Sequence, residues 1–142
     1  MPLTNFGAIL NFAETLEQTD MTFYEAAAAA VPDAPRKALY TTLAKENKKN
    51  VSLVQRTRRE NVTEMILEPI QDFERTRYQV PTADAVHMDP TAILPAALSR
   101  EARAIRYYTD AAEKIRALPE VSRALTSLAK KRGRRLAQLN SQ

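Results

Sequence analysis

This chain of 142 residues has no cysteine, two glycines and one histidine. Without cysteine there is no disulfide framework, no thiolate zinc site and no iron–sulfur centre. So few glycines leave no phosphate-cradling loop and favour helix throughout. A single histidine, His87, leaves no room for repeated Ser–His–Asp or His-rich metal chemistry. No run approaches the roughly 18 apolar residues of a membrane span. The opening MPLTNFGAIL lacks the basic and long apolar regions of a signal peptide, so a cytoplasmic location without membrane contact is expected. The length suits one domain, 1–142, with a core of its own.

What is present is helical periodicity broken by proline. A first helix is expected from Thr4 or Asn5 to Ala30, with Phe6, Ile9, Leu10, Ala13, Leu16, Phe23 and Ala27 on its apolar side. Pro32-Asp33-Ala34-Pro35 breaks it, and Asp33 suits the cap of the next helix. That second helix reads from Pro35 to Glu68, where Pro69 ends it. Its stripe is Leu39, Leu43, Asn47, Asn50, Leu53, Val54, Thr57, Asn61 and Met65. Residues 69–95, punctuated by Pro81, Pro90 and Pro95, read as a long crossover with at most a turn or two of helix near Asp72 to Tyr78. A third helix is expected from Ala96 to Leu118, with Leu98, Glu101, Ala102, Ile105, Tyr108, Ala112 and Ile115 on one side. The fourth runs from Pro119 to Leu139 through Val121, Leu125, Leu128, Arg132 and Arg135. Two hairpins, 4–68 and 96–139, joined by the crossover describe an antiparallel four-helix bundle.

The halves repeat each other. Glu17 precedes Tyr24 by seven residues, and Glu101 precedes Tyr108 by seven. Leu43-Ala44 is followed at the same offsets by Asn47 and Asn50 as Leu128-Ala129 is by Arg132 and Arg135. On a helix these offsets share one face. Polar residues therefore stand on an apolar stripe twice, at one spacing. A charge on a core stripe needs a partner. Pairing of Glu17 and Glu101 with Arg132 and Arg135 is expected, with the asparagines taking up leftover bonds and the tyrosines at the edges. The alternative is that both arginines snorkel to solvent at the bundle end.

This repeat resembles the ferritin-like superfamily, in particular its rubrerythrin-like branch. There each half gives one glutamate from its first helix and a Glu-x-x-His pair from its second, and six ligands hold two irons. Glu17 and Glu101 match the lone glutamates. Asn47 with Asn50, and Arg132 with Arg135, stand where the two Glu-x-x-His pairs belong. The resemblance implies a ferritin-like fold with a long crossover between helices 2 and 3, and a homodimer. It also marks these six as vestigial metal-site positions, because arginine is always charged and cannot ligate a cation. The expected function is a non-catalytic, structural or partner-binding bundle without a cofactor and without catalytic residues. The first alternative is an oxidoreductase or iron-handling protein that still uses iron or manganese. A second alternative lies in the basic run Lys130 to Arg135, which resembles a nucleic-acid patch or a site for an acidic partner. The run lies inside an amphipathic helix without interleaved aromatics, which favours a solvated face over nucleic acid.

Overall fold

A computed structural model describes residues 6–60, 73–78 and 89–141. Among these residues the chain forms four α-helices and one short 3-10 helix. They are α1 (Phe6–Ala30), α2 (Ala34–Glu60), a 3-10 turn at Arg75–Tyr78, α3 (Pro90–Lys114) and α4 (Pro119–Asn140). The described residues are helical apart from short links, and none of these helices is long and apolar enough to cross a membrane. The expected cap at Thr4 or Asn5, the stretch of the second helix from Asn61 to Glu68, and His87 lie outside the described residues.

The breaks follow local chemistry. Between α1 and α2 the Asp33 carboxylate accepts the Arg36 amide at 3.2 Å, capping α2. The Lys37 ammonium reaches back and donates to the Ala28 carbonyl at 2.9 Å, placing a cation on the carbonyl end of α1. Between α3 and α4, Pro119 takes the first helical position, where no amide hydrogen is required. The Ser122 hydroxyl donates to the Ala112 carbonyl at 2.9 Å and ties the two helices at their turn. Both links are short, so α1–α2 and α3–α4 are antiparallel hairpins.

α3 departs from expectation at both ends. It starts at Pro90, not Ala96, and it ends at Lys114, not Leu118. Asp89 caps it, accepting the Thr91 amide at 3.0 Å, and Pro90 stands just inside. Pro95, read as the end of the crossover, lies within the helix. It is exposed and close to the helix N-terminus, so it removes a single intrahelical bond on a solvent-exposed side. The buried face of α3 is also wider than the expected stripe, of which Glu101, Tyr108, Ala112 and Ile115 are buried. Leu98 and Ile105 are half-buried and Ala102 is exposed, whereas Ile93, Ala97, Ala104 and Tyr107 are buried.

The core has three layers along the helices. One apolar cluster holds Ile9, Leu10, Ala13 and Leu16 of α1 with Val54, Tyr107, Tyr108, Leu125 and Leu128. A second holds Phe23, Tyr24 and Ala27 of α1 with Tyr40, Leu43, Ile93, Ala97 and Leu139. Between them every helix passes through a polar layer: Glu17 and Asp20, Asn47 and Asn50, Arg100, Glu101 and Arg103, and Arg132 and Arg135, all buried. The sequence order of the layers reverses from α1 to α2 and from α3 to α4, as antiparallel neighbours require.

Candidate functional site

The buried polar layer is the chemical centre of the described structure. Its midpoint is Arg132, which has no exposed surface. Nη1 donates to Glu101 Oε1 at 2.8 Å. Nη2 donates to Glu17 Oε2 at 3.0 Å and to Asp20 Oδ2 at 2.8 Å. Nε donates to Glu17 Oε2 at 3.3 Å. One guanidinium thus holds three carboxylates from two helices. Burial alone pulls its pKa down, but Glu101, Glu17 and Asp20 together outweigh burial and hold it well above the ordinary arginine value.

Each glutamate is then completed by its neighbours. Asn47 and Asn50 donate to Glu17 Oε1 at 2.7 and 3.2 Å. Arg135 Nη2 donates to Glu101 Oε2 at 3.0 Å and to Asn47 Oδ1 at 3.1 Å. Tyr24 donates to Glu101 Oε2 at 2.5 Å, and Tyr108 donates to Glu17 Oε2 at 2.5 Å. The two tyrosine bonds are reciprocal. The tyrosine of each repeat serves the glutamate of the other, which places α1 and α3 antiparallel about a local twofold. Burial first, then the adjacent glutamate, pushes both phenols well above the usual tyrosine range. They are hydrogen-bond donors at physiological pH.

The structure therefore brings together all eight residues singled out in the repeat: Glu17, Tyr24, Asn47, Asn50, Glu101, Tyr108, Arg132 and Arg135. Neither arginine snorkels, since Arg132 is 0% and Arg135 2% exposed. The basic run divides accordingly. Lys130 and Arg134 face outward, Lys131 is half-buried, and Arg132 and Arg135 turn into the core.

Three members went unread in the sequence. Asp20 accepts Arg103 Nη2 at 2.6 Å and Arg100 Nη1 at 3.4 Å besides Arg132. It stands three residues after Glu17, on the same face, so helical spacing alone was a usable signal. Arg100 and Arg103 flank Glu101 off its stripe; Arg100 falls on the neighbouring one, three residues after Ala97 and four before Ala104, and Arg103 stands four before Tyr107. Arg100 lies 4.2 Å above the Phe23 ring, a cation–π contact that helps bury it. Burial lowers its pKa more than Asp20 raises it.

The arrangement does not fit a dinuclear metal centre. The carboxylate oxygens that would face two cations already accept from Arg132, Arg135, two asparagines and two tyrosines. The guanidinium of Arg132 stands between Glu17 and Glu101, where a cation would have to sit. Among the described residues no set of three His, Cys, Asp or Glu side chains is arranged to hold a metal ion. Comparison with protein-family models, with curated proteins and with solved structures finds no match.

Proposed function

We propose that this chain is a ferritin-like bundle of the rubrerythrin-like kind whose dinuclear metal site has been replaced by a charged side-chain network. Its role is then structural or partner-binding, as a homodimer, and not catalytic. The observation that carries the reading is the place of Arg132. It occupies the first ligand position of the second Glu-x-x-His pair and bridges the two lone glutamates at 2.8 and 3.0 Å. A cation is retained between the carboxylates, but it is covalently part of the chain. The reciprocal tyrosines support the twofold repeat that the ferritin-like plan requires. The long crossover of that plan falls largely on residues outside those described.

The test is turnover. Purified protein is offered ferrous iron with oxygen, and separately with hydrogen peroxide. The expected rate of iron oxidation equals that of buffer. A faster rate that is lost in E17Q and E101Q would overturn the reading.

One observation favours the metal-dependent alternative. Glu17, Asp20 and Glu101 converge on a single cation, and they would attract a metal if Arg132 withdrew. In that case iron or manganese would bind only with displacement of the guanidinium, and Arg132→Ala would bind it best.

A further inference from the structure

The network carries more positive than negative side chains. Glu17, Asp20 and Glu101 face Arg100, Arg103, Arg132 and Arg135. Unpaired buried donors remain at two of these arginines, at Arg103 Nε and on two nitrogens of Arg135. Arg135 Nη2 is fully engaged, but Nε and Nη1 are buried without a hydrogen-bond acceptor. A buried donor left unpaired costs free energy, so such a group is expected to have an acceptor in the working molecule.

Arg135 borders a pocket of about 300 Å³ between α2 and α4. The same pocket is lined by Lys49, Lys131 and Arg134 from the basic run and its facing helix. Against Arg135 and these three cations the lining sets one carboxylate, Glu46, and Glu101 pairs with Arg135 from the core side. Its Oε2 is 4.0 Å from Arg135 Nε, beyond hydrogen-bond reach, and its side chain is 41% exposed. Glu46 is thus a partial and displaceable counter-ion above a guanidinium whose Nη2 is held by Glu101 and Asn47 and whose Cζ lies 5.3 Å from the Tyr24 ring centre, with Nε and Nη1 left unpaired. A charge excess of this size matches a dianion better than a single carboxylate. The volume is at the small end of ligand sites, which suits a compact anion.

We propose that this pocket is a binding site for a small phosphate-type dianion, free or as a monoester. The anion takes hydrogen bonds from Arg135 Nε, gains charge contacts from Lys49, Lys131 and Arg134, and displaces Glu46. Because Arg135 also holds Glu101 and Asn47, occupancy of the pocket bears directly on the core network. The site does not depend on the metal-site origin proposed above.

The probe is inorganic phosphate, titrated into the full chain and followed by NMR at the arginine Nε–H and backbone resonances. Sodium chloride at matched ionic strength is the reference. The expected result is saturable binding that moves the Arg135 Nε–H signal. E46Q removes the competing carboxylate and should tighten binding about 1.5- to fivefold, the range of one exposed ion pair. K131Q/R134Q leaves the core untouched and should weaken binding about tenfold. A phosphomonoester probe that binds tighter than phosphate assigns the site to esters, and an equal affinity assigns it to the free ion. Non-saturating shifts equal to those in chloride would overturn the proposal. So would an unmoved Arg135 Nε–H, an unchanged affinity in E46Q, or a response confined to polyanions such as heparin.

Discussion

At the scale of single residues the structure turns on Arg132. A buried ion pair gives little net stability over apolar packing, but removing one partner strands the others. Arg132→Met leaves Glu17, Asp20 and Glu101 facing one another without their shared cation. The expected loss is about 3–5 kcal/mol in chemical denaturation. A loss below 1 kcal/mol, on the order of an exposed pair, would show that the carboxylates find other partners or protonate. The tyrosines add a pH dependence. Tyr24 and Tyr108 are held protonated by burial and by Glu101 and Glu17, whereas unfolded tyrosine ionises near pH ~10. The folded form binds more protons there, so stability is full below that value and falls as pH rises through it. Tyr24→Phe and Tyr108→Phe should each lose about 1.5–3 kcal/mol at neutral pH, as hydrogen bonds to charged acceptors do. The double variant should also flatten the alkaline limb of stability against pH. An unchanged alkaline slope would place the phenols outside the network.

At the scale of elements, α4 was the most legible part of the chain. Val121, Leu125, Leu128, Arg132, Arg135 and Leu139 form its buried face as their spacing required. One strong stripe and two proline or polar ends leave little choice of register. α3 was less legible because Pro95 looks like a boundary in one dimension and is harmless in three. It stands near the helix start, where Asp89 and Pro90 already supply the cap and first turn. Arg100 and Arg103 were hidden for a related reason. A stripe drawn through Leu98 and Ile105 leaves them outside, whereas the buried face through Ile93, Ala97, Ala104 and Tyr107 includes Arg100. Asp20 was readable and shows that spacing finds a third carboxylate only when it is sought. The glycine of α4 gives a separate test. A Cβ at Gly133 would meet nothing within 4 Å. Gly133→Ala should therefore stabilise the protein by about 0.5–1 kcal/mol through helix propensity alone. Thermal denaturation checks this, and a destabilised variant would point to a contact on that face in the native assembly.

At the scale of the molecule, two apolar clusters enclose one polar layer, and the layer coincides with the positions where the repeat departs from apolar periodicity. That coincidence makes the ferritin-like reading testable by reversal. The variant N47E/N50H/R132E/R135H rebuilds both Glu-x-x-His pairs around Glu17 and Glu101. It is expected to take up about two cobalt ions per chain, the count of a dinuclear site. A folded variant that takes up none would mean that the six positions do not share a metal-site geometry. The proposed dimer is tested separately by sedimentation, where a strictly monomeric protein at cellular concentrations would remove that part of the reading.

If Arg132 is the resident cation of the core, no metal should enter between Glu17 and Glu101. The most direct measurement is elemental analysis of untagged wild-type protein after exposure to ferrous iron and to manganese, with removal of free metal. No metal at stoichiometric level is expected. About two ions per chain, lost on E17Q or E101Q substitution, would contradict that expectation and place the guanidinium of Arg132 outside the site in the working protein.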